Sequence, residues 1–497
     1  MRQVQFAARL LLAPLVLACV PGIAAAQAVP ATLSLADAIA IARERNPAYR
    51  QALNDRGPAA WGVRNAYSSL LIPDVTASAG MSYTGPGSQT FLSSSFSQSV
   101  STVSSFYDLG LSWQLSGTTL SQPGLAKAEQ RAVDADIAGA ANALATGITQ
   151  RYLTVLQAGE QSELARKTVE RNDEFLKLAQ ARFDVGQATL IDVRQAQVAR
   201  GQAVVALLRA QTAVSVEKLR LFELMGVTPP VDVAAVQLSD SFVREPPRWE
   251  LPELMTMAEQ QNPALRALRA RERAAAWSVR AATSSYGPSV SLSAGWSGFT
   301  QQFTDVEPII FNQQTAFANE FANCDDNNQI RANAGLPPND CSLFIWGAAD
   351  EQAVRDQNSV FPFEFTRQPF QARLSISLPL FTNFARPLRV SQARAQHSDL
   401  EEAVRARGLA VQTEVSQAFL TLATAFRTIG LQDTNRTAAQ EQLLLATERY
   451  RVGSGTFFEL LDAQVAALRA ESDYVNATYD YLKAWAALEA AVGRSLR

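Results

Sequence analysis

Glu459 and Asp462 are two acidic residues whose spacing would let both carboxylates act at the same place. Three residues apart in a predicted helix, they share one face, so their charges act together on a solute or an ion. Glu459 also follows Thr456 in a Thr-x-x-Glu pattern, which is typical of a helix N-terminal cap, and Asp192 stands in a similar pattern earlier in the chain. Asp462 has no capping role, which makes it the better candidate for a functional acid.

The other reactive residue types give catalysis no support. His397 is the only histidine, and we expect it to be solvated because it lies in a predicted helix among Gln, Arg and Ser. No serine, cysteine or metal-ligand constellation surrounds it in the sequence. Cys324 and Cys341 predict a disulfide that closes a loop, with two free thiols as the alternative. We therefore expect no enzyme, no cofactor and no metal site.

Residues 1–26 have the layout of a secretory signal peptide. Arg2 and Arg9 precede an apolar stretch at 10–20, and three alanines follow at 24–26. Lipid attachment at Cys19 is the alternative. The formal net charge is -3 without any long basic block, so nucleic acid is not expected as a partner. The remaining chain has no apolar run of about 18 residues, so no transmembrane helix is predicted.

The elements that position the candidate residues occur twice. Asn46-Pro47 recurs as Asn262-Pro263 at an offset of 216, whereas RFDVGQATLIDV at 182–193 returns as RYRVGSGTFFEL at 449–460 at an offset of 267. The larger offset indicates an insertion in the second copy, which we place at about 299–370. The predicted division is a signal peptide (1–26), a first repeat (27–228), a connector or equatorial region (229–250) and a second repeat (251–497).

Strands with one apolar face are predicted in each repeat. Apolar and small polar residues alternate over 290–297 and 370–378, with counterparts at 75–83 and 109–115. Strands of about ten residues match an outer-membrane barrel. Four strands cannot close around a channel, and a lipid bilayer tolerates no open sheet edge. We therefore expect a ring of identical chains, with three chains giving twelve strands.

Very long helices follow the strands. Residues 125–185 and 388–452 are rich in helix formers and would extend roughly 90–100 Å. Each ends at a glycine, Gly186 or Gly453, and a second helix of about 37 residues is predicted after it. Each repeat therefore adds a helical hairpin with a tight turn. The proline-rich connector should wrap around the outside of these helices.

These pieces resemble the TolC-type outer-membrane efflux protein family. The resemblance rests on LSLADAIAIARERNPAY (33–49), QNPAL (261–265), the paired RFDVG and RYRVG turns, and LPLF (378–381). It implies an α+β membrane protein, in which a duplicated unit of two strands and a long helical hairpin forms a homotrimer. A 12-stranded transmembrane β-barrel would continue as a periplasmic α-helical barrel beneath the outer membrane of a Gram-negative bacterium.

The resemblance also implies roles for particular residues. The hairpin tips that dock on an adaptor would be Val185, Gly186, Val452 and Gly453, although the glycines also serve the turn itself. The gate or selectivity residues would be Asp462, Glu459 and Asp192, which three-fold symmetry turns into rings of carboxylates. The insertion, with its cysteines, should form a disulfide-closed lid outside the cell.

The implied function is an exit duct of a tripartite efflux system. The duct would passively conduct small toxic solutes such as drugs, with a periplasmic adaptor (membrane fusion) protein and, through it, an inner-membrane pump as partners. A type I protein secretion duct of the same fold is the first alternative. A structural or adhesive helical surface trimer is an alternative of another class, and it would conduct no ions.

Overall fold

The two sequence repeats fold as two copies of one structural unit. The computed structural model describes residues 31–91, 94–98, 101–240, 242, 246 and 248–496. The predicted signal peptide and Cys19 lie outside these residues, as does part of the connector. The elements up to the connector are β1 (Thr32–Leu33), α1 (Leu35–Arg45), α2 (Pro47–Asn54), α3 (Arg56–Leu71), β2 (Asp74–Thr84), β3 (Gly87–Phe91), β4 (Ser94–Gln98), β5 (Thr102–Leu115), α4 (Gly117–Asp184) and α5 (Leu190–Met225).

The second copy follows the connector and repeats this order around its insertion. The remaining elements are β6 (Gln237–Leu238), α6 (Leu251–Gln261), α7 (Pro263–Ser284), β7 (Ser289–Phe303), α8 (Glu307–Asn333), α9 (Ala348–Gln357), β8 (Thr366–Arg367), β9 (Gln371–Ser377), α10 (Ala385–Val452) and α11 (Phe457–Val492). The connector strand β6 pairs in parallel with β1, which ties the connector to the start of the chain.

The long helical hairpins are confirmed. The helices α4 and α10 each contain 68 residues, a length of about 100 Å. Their partners α5 and α11 each contain 36 residues. Both long helices begin before the predicted positions, and α4 accommodates Pro123 near its start, where few preceding turns are disturbed. None of the described helices combines the length and apolarity needed to cross a bilayer.

The two Asn-Pro sequences build the same junction in each copy. Asn46 caps α2 and donates a hydrogen bond from Nδ2 to the carbonyl of Leu224, at 2.8 Å. Asn262 caps α7 and donates in the same way to the carbonyl of Ala491, at 3.1 Å. Both asparagines are buried, so each satisfies a helix start and a helix end at once. The hairpin of each copy is thereby fastened to the short helices above it.

One antiparallel sheet combines strands from both copies. Its order is β2, β5, β7, and then β9 and the short β8 side by side along β7. The predicted strand at 370–378 is shorter than expected, because only Gln371–Ser377 pairs as β9. In the first copy the chain after Asn46-Pro47 forms two short helices, α2 and α3, which meet at Asp55. An additional hairpin, β3 and β4, extends the connection between β2 and β5.

The insertion is mostly helical. The helix α8 alone contains 27 residues, and the disulfide between Cys324 and Cys341 joins it to the segment that follows. Sequence periodicity concealed this helix because its polar Asn, Asp and Gln residues occur on every side. The predicted disulfide is present, which excludes the alternative of two free thiols.

Candidate gate, docking tips and conduction surface

The two hairpin turns have the same backbone conformation. Gly186 has φ of 72° and Gly453 has φ of 85°, a left-handed conformation that other residues adopt only with strain. The turn therefore explains both glycines without any partner. The preceding Val185 and Val452 are 69% and 75% exposed, so each tip presents an apolar side chain to solvent. Such a surface suits a protein partner.

An arginine closes each turn. Arg182 donates from Nη2 to the carbonyl of Gln187 at 3.0 Å, and Arg449 donates in the equivalent way to the carbonyl of Ser454 at 3.2 Å. Arg182 is also stacked on the ring of Tyr450, 4.6 Å from its centroid. This contact across the two copies joins the tips, so they are held as a pair.

The two capping acids differ in their environments. Asp192 forms a complete capping box, with its carboxylate accepting from the backbone N–H of Thr189 at 2.8 Å. Thr456 caps the backbone N–H of Glu459 at 3.2 Å, but the Glu459 carboxylate lies 3.5 Å from the Arg449 guanidinium. The sequence predicted the box for both, and only the first is complete. Both acids therefore have structural partners.

Burial raises the pKa of the Tyr450 phenol, and the nearby charge of Asp192 raises that pKa further. The guanidinium of Arg182 acts in the opposite direction. Asp192 of the first copy thus faces the second copy at the tip.

Asp462 lies one turn further along α11 and is exposed. Within the described residues its carboxylate has neither a hydrogen bond nor an ion pair, unlike Asp192 and Glu459. It lies between Phe458 and Val465, which are 72% and 58% exposed. This exposed stripe is repeated in both copies at positions 267 residues apart, as Ile191, Gln195 and Val198 and as Phe458, Asp462 and Val465.

Higher up, a polar latch joins the two hairpins. Arg171 of α4 donates to Glu471 of α11 at 2.8 Å, and Gln440 of α10 donates to the same carboxylate at 3.1 Å. Arg436 lies over the ring of Tyr474 at 4.0 Å. A cavity of about 540 Å³ opens beside this latch. Sequence reasoning missed it because Arg171 and Glu471 are 300 residues apart.

The sheet has one apolar and one polar face. The register aligns Val75, Leu111 and Ala294 on one face, and Ser82 with Ser104 on the other. Hydroxyl pairs bridge the strands on the polar face, including Ser82 with Ser104 at 2.7 Å and Ser291 with Ser375 at 2.7 Å. The apolar side chains remain largely exposed in the single chain; they include Val75, Met81, Leu109, Trp296, Leu374 and Ile376.

One aromatic pair interrupts the polar face. Phe106 and Phe299 are register partners on this face and remain 47% and 44% exposed. The ring of Phe106 lies over Gly80, where an added Cβ would be only 2.7 Å from the ring. The Phe106 ring can therefore occupy this position only because Gly80 has no side chain.

The insertion is fastened to the end of this sheet. Phe303 donates its backbone N–H to Asn358 at 2.8 Å, and Asn358 donates back to the Phe303 carbonyl at 2.8 Å. Ser105 donates to the carbonyl of Pro362 at 2.6 Å, and Tyr107 packs edge-on against Phe365 at 4.9 Å. These contacts hold the insertion against the ends of β5 and β7.

His397 is less solvated than predicted, because its side chain is 25% exposed and lies between two carboxylates. Its Nε2 lies 3.1 Å from the carboxylate of Glu272, and its Nδ1 lies 3.7 Å from that of Glu401. The sequence gave little signal, because Glu272 lies 125 residues earlier on α7.

Long paired helices beneath a sheet with one apolar and one polar face define the class: a channel subunit anchored in an outer membrane by strands. The family described as outer membrane efflux protein matches residues 38–227 and 254–494. The chain belongs to this family. Its place is accordingly the outer membrane of a Gram-negative bacterium, with the long helices in the periplasm.

Individual relatives agree with this assignment. The outer membrane efflux protein BepC of Brucella suis biovar 1 (strain 1330) is 22% identical over 340 residues, which are 67% of this chain and 61% of that protein. Among solved structures, VceC of Vibrio cholerae is 18% identical with a TM-score of 0.69, covering 93% of this chain and 97% of its own. The MtrE channel of Neisseria gonorrhoeae is 20% identical with a TM-score of 0.66, covering 93% and 89%. These structures share the fold.

Proposed function

We propose that three copies of this chain form a passive exit duct of a tripartite efflux system. The observation that carries the proposal is the sheet, whose apolar face is exposed and whose polar face consists mainly of serine, threonine and glycine. In a bilayer the edge strands β2 and β9 require partners, because unpaired backbone groups in hydrocarbon cost several kcal/mol each. Pairing β2 of one chain with β9 of the next closes twelve strands around a polar lumen.

The helices extend this lumen through the periplasm. At about 100 Å, α4 and α10 carry the hairpin tips far from the sheet. The exposed Val185 and Val452 at these tips are the docking points for a periplasmic adaptor, which connects the duct to an inner-membrane pump. We assign residues 229–250 to a connector between the two repeats, each of which supplies strands to the sheet and one helical hairpin.

The cargo is small toxic solutes such as drugs. Phe106 and Phe299 support this cargo, since they give the lumen one apolar band at which aromatic or aliphatic groups can be held between water-filled stretches. A protein secretion duct would share every other feature.

Asp462 acts as the gate and selectivity residue. Three copies of this unpaired carboxylate would place three negative charges around a narrow lumen, attracting cations and repelling anions. Asp192 and Glu459 contribute to the same field, but their hydrogen bonds and ion pair fix them to the turns.

Planar-bilayer recording tests the duct directly. We expect the purified protein to conduct with a preference for cations, and Asp462→Asn to reduce that preference. The matched variant Gln195→Asp adds a carboxylate at the equivalent position of the first copy, so it should change the preference in the opposite direction. A protein that inserts without conducting would support the structural or adhesive trimer instead. Efflux of drugs in cells that lack their own duct then separates small-molecule transport from protein secretion.

A further inference from the structure

The contacts of His397 form an unusual arrangement. This residue of α10 lies between Glu272 of α7 and Glu401, one turn further along α10, with one carboxylate near each ring nitrogen. The three side chains are 25%, 27% and 57% exposed. Because His397 and Glu401 are four residues apart, they share one helix face, and Glu272 approaches that face from the neighbouring helix.

Cations that usually balance such carboxylates are missing here. In the described part of the chain, no Lys or Arg nitrogen lies within 4.0 Å of Glu272 or Glu401. Elsewhere the packed helices balance their acids with arginine, as in the pairs of Asp136 with Arg271 and of Glu471 with Arg171. The two carboxylates together carry two negative charges, which one divalent cation would neutralise.

The donor set is one that transition metals use. Imidazole nitrogen with carboxylate oxygen suits Zn²⁺ and its neighbours, which also accept water as a further ligand. One donor atom from each of the three residues lies within 4.8 Å of the others. Bonds of about 2.0–2.2 Å to one ion require donors about 3.3–3.5 Å apart, so donors within 4.8 Å of one another need to approach by at most about 1.5 Å. Glu401 is the most exposed of the three and has the freedom to move.

We propose that Glu272, His397 and Glu401 form a binding site for a divalent transition-metal ion, with Zn²⁺ as the reference ligand. His397 lies twelve residues after the start of α10, and Glu272 lies twelve residues before the end of α7. The ion would therefore join these helices about 18 Å below the sheet. The site is complete within one chain, so it depends neither on conduction nor on the adaptor.

Calorimetric titration of the full-length protein with ZnCl₂ tests the site. The protein is purified without a histidine tag and treated with a chelator, so that His397 is the only imidazole present. We expect saturable binding of one Zn²⁺ per chain, abolished by His397→Gln and weakened at least about tenfold by Glu401→Gln. Glu402→Gln is the matched control, because Glu402 pairs with Arg405 on the same helix and should leave the titration unchanged.

A second measurement keeps the proposal testable if the His397→Gln variant does not fold. Diethyl pyrocarbonate modifies imidazoles, and in the unaltered protein Zn²⁺ should slow its reaction with His397 at least about tenfold. Glu272→Gln should remove this protection while leaving His397 itself in place. Absence of saturable binding, or equal binding by His397→Gln, would overturn the proposal. The three residues would then form only a hydrogen-bonded clasp between α7 and α10.

Discussion

Removing the charge of Glu471 should loosen one hairpin from the other. The carboxylate is 17% exposed and accepts hydrogen bonds from Arg171, itself 23% exposed, and from Gln440. A hydrogen bond to a charged group contributes about 1.5–3 kcal/mol, and removal of one partner also leaves the other charge partly buried. The remaining solvent exposure reduces this penalty, so we take about 2 kcal/mol for Glu471→Gln.

Hydrogen exchange measures this loosening at the place where it occurs. A loss of about 2 kcal/mol corresponds to about thirtyfold faster exchange of amides that are protected by the contact of α4 with α11. The double variant Arg171→Gln/Glu471→Gln should lose less than the sum of the two single variants, since neither charge is then left alone. Arg166→Gln is the control, because Arg166 pairs with Glu163 and Glu170 on the exposed side of α4.

Two results would refute this reasoning. Exchange in Glu471→Gln that matches the Arg166→Gln control would show that the latch does not hold the hairpins together. Strictly additive effects in the double variant would show that Arg171 and Glu471 act independently. Either result would mean that the apolar contacts at the tips and the junctions, and not this ion pair, hold the two copies together.

Three further predictions concern the lid, a buried phenol and a turn. Replacing Cys324 and Cys341 by serine releases a 17-residue closure worth about 3 kcal/mol, so we expect faster proteolysis within the insertion and unchanged protection of the sheet. Burial and the charge of Glu160 raise the pKa of Tyr479 from 10.0 to about 12. The unfolded state loses this proton first, so stability should fall as pH rises from about 10 to about 12, and Tyr479→Phe should remove that part of the decline in unfolding experiments. Gly186→Ala should lower the local stability of the tip by about 1 kcal/mol, because φ is 72° and alanine adopts this conformation only with strain. No atom obstructs an added Cβ, so backbone strain is the only cost, and local hydrogen exchange measures it. An unchanged exchange rate at the tip would contradict the assigned role of this glycine.

The sequence revealed the elements that repeat or alternate. The recurrence of Asn46-Pro47 as Asn262-Pro263 revealed the duplication, and in both places proline removes a backbone donor while asparagine caps the next helix. The long helices and glycine turns followed from the even distribution of helix formers and from the φ that Gly186 and Gly453 must adopt. These signals come from residues that are close together in the sequence, so the sequence alone is enough to show them.

Other features depend on contacts between distant residues. Nothing near His397 in the sequence points to Glu272, and only the packing of α7 on α10 brings them together. Arg171 and Glu471 meet for the same reason. The helix α8 escaped prediction because its polar composition lacks a periodic apolar face. Asp192 and Glu459 matched the same capping pattern, but only Asp192 completes the box, whereas the Glu459 carboxylate lies beside Arg449.

The unbroken length of α4 and α10 has a mechanical consequence. A rod of about 100 Å that pivots at its upper end by about 6° moves its lower end by about 10 Å. Within about 10 Å of the pivot the same rotation displaces side chains by only about 1 Å, which packed interiors absorb without breaking hydrogen bonds. Each hairpin can therefore act as a lever whose fulcrum lies beside the membrane, so that a large change of aperture at the periplasmic end leaves the strands almost stationary.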